Sequence, residues 1–141
     1  MPQNPSLSNA VKVLEKKIGT NLPSGMTSLD VDWFMTSGFV PKGKAKWGRS
    51  TFTEVDTTTI ADGCSKVDCI YTFQYFSKLP VGNSTIQQLT LDEMQALKSV
   101  FSLGYFDGVT IETVTSRQVG IDSNIWFQQN LILNVSMRGR I

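Results

Sequence analysis

The stretch Asn124–Ile141, NIWFQQNLILNVSMRGRI, decides how the rest of the chain is read. From Phe127 onward, Phe127, Gln129, Leu131, Leu133, Val135 and Met137 fall on one side of an extended backbone. Gln128, Asn130, Ile132, Asn134, Ser136 and Arg138 fall on the other. Side chains alternate across a pleat, so the pattern predicts a half-buried β-strand. Such a strand frays unless neighbouring strands tie it down, so it belongs inside a sheet. Beyond it, Gly139 is expected to break the strand pattern and let the end turn aside. Arg138, Arg140 and Ile141 are then either solvated punctuation or a hook for a partner.

Working outward, KVDCIYTFQYFSKL (66–79) reads as the strongest central strand, with Val67, Cys69, Tyr71, Phe73 and Tyr75 on one face. TFTEVDTTTI (51–60) is Thr-rich and β-branched, and it precedes that strand across an ADG turn. LDVDWFM (29–35) alternates and predicts a further strand, and GVTIETVTS (108–116) predicts the partner that leads into the final one. Two helices complete the set. Leu7, Val11, Leu14 and Ile18 have helical spacing, with Ser6 or Ser8 as cap, Lys16 and Lys17 at the negative end of the dipole, and Gly19 to stop it. The second carries Leu91, Met94, Leu97, Val100 and Phe101 on one side. Thr90 with Glu93 has the spacing of a capping box, Leu89 with Met94 that of a hydrophobic staple, and Gly104 is placed to end it. The expected architecture is a single α+β domain spanning 1–141, in the order α-β-β-β-α-β-β. An antiparallel (mixed) β-sheet would carry both helices packed on one face. The predicted core is Leu7, Val11, Leu14, Ile18, Trp33, Tyr71, Phe73, Met94, Leu97, Phe101, Ile111, Leu131, Leu133 and Val135.

Composition narrows the function. A chain of 141 residues is enough for one ordinary core. Charged residues make up 18%, below the usual quarter or so, which suits a protein that hides surface in an assembly. A net charge of +1 gives no global attraction to nucleic acid or to an anionic membrane. No apolar run approaches the roughly 20 residues that span a bilayer, and MPQNPSLSNA lacks the plan of a signal peptide, so a cytoplasmic place of assembly is expected. Cys64 and Cys69, with no histidine anywhere, cannot complete an ordinary zinc site and are expected as reduced thiols.

Catalytic signals are thin. Without histidine, the commonest general base is missing, and neither a dinucleotide nor a P-loop glycine motif occurs. Asp30 and Asp32 would share a strand face, where they either hold a hard cation or are simply solvated. Asp92 and Glu93 suit capping better than catalysis. No enzyme, cofactor or metal is expected. The one local charge feature is PKGKAKWGR, in the loop expected over 36–50. Lys42, Lys44 and Lys46 alternate, with Trp47 and Arg49 beside them. Such a run grips nucleic-acid phosphate, meets an acidic partner surface, or is a solvated arm with Trp47 folded back as an anchor.

The element order, above all TLDEMQALKSVFSLGYF, then GVTIETVTS, then IWFQQNLILNVSMRGRI, resembles the tail-terminator and neck-completion proteins of long-tailed bacteriophages. The resemblance covers most of the chain as an order of elements and carries no diagnostic motif. It implies a small α+β structural protein of the virion that forms a ring, usually hexameric, on the finished tail tube and offers a surface to the head connector. It implies the tail tube, the connector and the chain itself as partners, and DNA passing through the ring. In that setting Lys42, Lys44, Lys46, Trp47 and Arg49 would reach a neighbour, an acidic partner or the DNA. Arg138, Arg140 and Ile141 would dock at a subunit boundary. The alternative from another class is a monomeric or dimeric binding module, holding a small ligand or peptide between helix and the aromatic face of Tyr71, Phe73 and Tyr75.

Overall fold

The structure is a computed structural model that describes residues 7–23, 25–34, 38–40, 43, 46–61, 63–78, 84–102, 104–122 and 126–140. Helix α1 spans Leu7–Gly19, followed by a 3-10 turn at Ser28–Asp30. The strands are β1 (Val31–Asp32), β2 (Lys46–Ala61), β3 (Cys64–Lys78), β4 (Tyr105–Phe106), β5 (Val109–Asp122) and β6 (Trp126–Arg140), with helix α2 (Ser84–Phe101) between β3 and β4. The strands form one mixed sheet in the order β1-β2-β3-β6-β5-β4. Among the described residues the β1–β2 pairing is parallel and every other pairing is antiparallel.

The two strands with the clearest alternation lie at the centre. β3 and β6 pair antiparallel along their whole length, Tyr71 opposite Leu133 and Phe73 opposite Leu131. Because side chains directly opposite share a face, the apolar stripes of both strands merge. Ala10, Leu14 and Ile18 of α1 and Met94, Leu97 and Phe101 of α2 join the same buried cluster as Tyr71, Phe73, Tyr75, Leu131, Leu133 and Val135. The opposite face of the central strands presents half-buried Thr72, Gln74, Asn130 and Asn134.

Several expectations are corrected. Leu7 is exposed, because the buried stripe of α1 begins only at Ala10. Trp33 is half-buried at the core margin, its indole N–H donating to the Ser28 carbonyl at 3.0 Å. LDVDWFM does not form a strand over 29–34, and Met35 lies outside the described residues. Thr27 and Asp30 close a capping box around a 3-10 turn instead, Asp30 accepting the Thr27 N–H at 2.9 Å, and only Val31–Asp32 is extended. Leu29 is consequently 81% exposed. β2 begins at Lys46, inside the expected loop, since the long β3 partner offers Ser77 and Phe76 for pairing. α2 begins six residues before Thr90, which with Glu93 therefore lies inside the helix. β4, absent from the expected order, arises because Asp107 (φ 44°) and Gly108 (φ 91°) make a two-residue hairpin turn between Phe106 and Val109. Gly139 does not end the last strand. It pairs with Ser65, and Arg140 with Cys64, because β3 is long enough to carry the ladder to that point. No helix is long and apolar enough to cross a membrane among the described residues.

Candidate interaction surfaces

The residues of the basic run separate. Lys42 and Lys44 lie outside the described residues. Lys46 opens β2 and turns toward α2, its Nζ 3.2 Å from both oxygens of Glu93, which also accepts the Tyr75 hydroxyl at 3.3 Å. Trp47 is 6% exposed and stacks on Phe76, its opposite number on β3, with ring centroids 4.1 Å apart. Phe39 covers it on another side at 5.5 Å and Trp126 meets it edge-on at 6.3 Å. The folded-back anchor, one of the readings open from sequence, describes Trp47. Arg49 lies over the Trp47 ring at 5.2 Å and pairs with Asp32 of β1 at 3.2 Å, so Asp30 and Asp32 are used separately, one in a cap and one in an ion pair. Cys64 and Cys69 are free thiols.

At the other end of the sheet, Arg138 is exposed and helps hold the Glu112 carboxyl below its ordinary range. The larger cause is the Ser136 hydroxyl, which donates to Glu112 at 2.6 Å, and Lys66 adds to it at 3.5 Å. Arg140 is placed by its backbone opposite Cys64, and Ile141 lies outside the described residues. The basic run and the terminal arginines are not brought together. Lys46 pairs at the start of β3's partner ladder, opposite Ser77, whereas Arg140 sits opposite Cys64 at the other end of the same strand. Among the described residues no group of three or more Cys, Asp and Glu side chains is placed to hold a metal ion.

What sequence reasoning missed is the pair of sheet edges. Among the described residues β1 covers β2 only at Gly48 and Arg49. From Ser50 to Ala61 no strand among the described residues pairs with the outer side of β2. On the opposite side, β4 pairs with β5 at Val109 and Thr110, and the Ile111 N–H donates to the Gly104 carbonyl at 2.7 Å. From Glu112 to Asp122 no strand among the described residues pairs with the outer side of β5. Long bare edges invite another chain unless they are blunted. Here β2 bulges between Glu54 and Asp56, and β5 bulges between Ile111 and Thr113 and between Gln118 and Gly120. Ser50 fixes the β1 end: its hydroxyl donates to Glu15 of α1 at 2.9 Å and accepts the Phe34 N–H at 2.7 Å. Burial pushes the Glu15 carboxyl above its ordinary value, and the Ser50 hydroxyl and the Phe34 backbone N–H, both directed at that carboxyl, oppose the shift.

A groove of about 690 Å³ lies beside β4, lined by Lys12, Lys16 and Lys17 of α1 and by Tyr105, Phe106 and Asp107. Lys17 sits over the Phe106 ring at 4.7 Å, while Lys12 and Lys16 are exposed and Tyr105 is 64% exposed. The groove is open and basic, with one carboxylate at its rim. The signal that could have located it is the Asp107–Gly108 dipeptide between apolar neighbours, which marks the β4–β5 hairpin. No protein-family model matches this chain, and no curated protein sequence matches it.

Proposed function

We propose that this chain is a structural virion-assembly protein of the tail-terminator or neck kind, which assembles as a ring on the end of a tail tube and joins it to the head connector. The observation that carries the reading is the pair of long bare sheet edges, different in sequence and in shape. A closed ring is built from heterologous contacts, in which each subunit offers two unlike surfaces to its neighbours. In this reading both helices lie on one face of the sheet. The Thr, Asn and Gln face is left for water, DNA or a partner protein. The stoichiometry expected from the resemblance is a hexamer. Lys42 and Lys44, Arg138, Arg140 and Ile141 remain as contacts to neighbouring proteins or DNA, in the virion after assembly in the host cytoplasm.

The binding-module alternative needs room between sheet and helices at the aromatic face. Tyr71, Phe73 and Tyr75 are fully buried in the core cluster, so that stripe supports packing and not a ligand pocket. Two measurements test the proposal. Sedimentation and electron microscopy of the purified protein, alone and with tail tubes, should give a ring-sized species. Particles made without the protein should show heads and tails that fail to join, or tails of uncontrolled length. Normal infectious particles in its absence would end the proposal.

A further inference from the structure

We infer that the two ragged edges of the sheet are the halves of one joint, and that the occupant of each is the opposite edge of a second copy of this chain. The inference rests on the ring reading and specifies how the ring closes.

The pairing registers place residues in rows across the sheet. In one row Asp32 pairs with Arg49, Arg49 with Gln74, Gln74 with Asn130 and Asn130 with Arg117. In another, Asp56 pairs with Asp68, Asp68 with Ser136, Ser136 with Thr110 and Thr110 with Tyr105. The short strand β1 therefore occupies the row of Arg117, where β5 is bare. The short strand β4 occupies the row of Asp56, where β2 is bare. Each edge has a step where the other has a gap. A copy set beside the first with its rows level puts β1 against the bare part of β5 and β4 against the bare part of β2. β2, β3, β6 and β5 alternate in direction and β1 runs with β2, so β1 meets the neighbour's β5 antiparallel, the more favourable pairing.

The charges follow the same rows. Asp32 at one end of its row faces Arg117 of the next copy. Glu54 and Asp56 are both exposed at the β2 edge, which is set beside the neighbour's Tyr105 and lysine groove. Asp56, opposite Asp68, lies on the other face of the sheet and adds to the acidity of the edge without facing the groove. Glu54 lies opposite the core residue Cys69, so its side chain is on the helix-bearing face, the same face as Lys12 and Lys16. Exposed apolar residues concentrate there too. Of the seven large hydrophobics exposed among the described residues, Leu29 and Phe34 flank β1, and Val55, Tyr105 and Val119 lie on β2, β4 and β5. An acidic edge facing a basic one specifies a head-to-tail order, since like edges repel.

The test uses the full chain in four forms at low salt. One variant reverses the β2 edge (Glu54→Lys with Asp56→Lys), and a second reverses the groove (Lys12→Glu with Lys16→Glu). Each alone should lose self-association by about tenfold or more, because its two edges then carry the same sign. Mixed in equal amounts, the two variants should recover the parent's sedimentation profile as an alternating assembly, and a chain carrying all four changes should recover it alone. Recovery in the mixture also shows that both variants fold. If the parent forms rings and the single variants form them equally well, or if the mixture and the fourfold variant fail to recover, the joint is wrong while the ring reading stands. A parent that stays monomeric alone and with tail tubes overturns the ring reading itself.

Discussion

Gly48 offers the sharpest test of the packing. It sits on β2 opposite Tyr75, on the face that meets the core. A Cβ placed there would lie 2.6 Å from Cζ and 2.7 Å from Cε1 of Phe73, and 3.3 Å from the Gln74 carbonyl oxygen. Phe73 is fully buried, so its ring has no vacant space into which to retreat. Gly48→Ala therefore overpacks the core, which costs about 1–3 kcal/mol. The gain from replacing glycine within a strand, about 0.5–1 kcal/mol, offsets part of that. The expected net loss is about 1–2 kcal/mol. At roughly 3–4 °C per kcal/mol for a domain of this size, Tm should fall by about 3–8 °C. The assay is thermal melting by circular dichroism, repeated on Phe73→Leu and on the double variant. Relief of the clash makes Phe73→Leu less costly in the Gly48→Ala background, with a coupling energy of about 1 kcal/mol or more. A Gly48→Ala protein that melts with the parent, or above it, would refute this placement of Phe73.

Other outcomes follow from the same packing. Leu97→Ala or Leu133→Ala should each cost about 2–5 kcal/mol in urea unfolding, since both side chains are essentially buried. Burial, reinforced by Glu54 and Asp68, pushes the Cys69 thiol up to about 11, so a thiol reagent at pH 8 should modify Cys64 first and Cys69 only after unfolding. The same shift sets a sign. The folded chain keeps a proton that the unfolded chain releases near pH 9, so stability should fall as pH rises from about 9 through 11. Burial moves Tyr71 and Tyr75 in the same direction, and Cys69→Ala should flatten the fall by up to about 1.4 kcal/mol per pH unit. Lys46→Ser should lower stability by about 1 kcal/mol, less at high salt, because the Glu93 it pairs with is largely buried; Lys42→Ser with Lys44→Ser is the comparison, and Tm is the readout.

The parts of the fold legible in the sequence are those where one physical period dominates. The alternation of Val67–Tyr75 and Phe127–Met137 predicted the central strands, and the spacing of Val11, Leu14 and Ile18 predicted α1. Legibility fails where two local signals compete. Around Leu29 the alternation suggests a strand, but Thr27 and Asp30 satisfy each other's backbone and side chain in a 3-10 turn. At Thr90 a good capping pattern occurs inside a helix that had already started at Ser84. Trp47 is a third kind of case. Its neighbours are basic, so it reads as part of a binding arm; its burial depends on meeting Phe76, a register set by the whole β2–β3 hairpin. The bare edges were illegible for the same reason. Whether a strand is central or peripheral is decided by non-local pairing, on which composition is silent.

The central β3–β6 pairing also governs how quickly the chain can reach this state. β2 with β3, and β5 with β6, are hairpins whose partners are close in sequence, but Tyr71 meets Leu133 roughly 60 positions further along. Each hairpin can zip within microseconds, whereas docking the two must first close a long loop. Until then the inner edges of β3 and β6 are bare as well. We expect folding in the millisecond-to-second range, as for other sheet proteins dominated by distant pairings, with β3–β6 contacts forming late. In stopped-flow measurements, changes at Leu131 and Leu133 should then mainly accelerate unfolding, while changes within the hairpin turns should slow folding. A chain that is slow to hide two of its four hairpin edges, and leaves most of the other two bare, is exposed to wrong partners early and has a reserved place for a right one late.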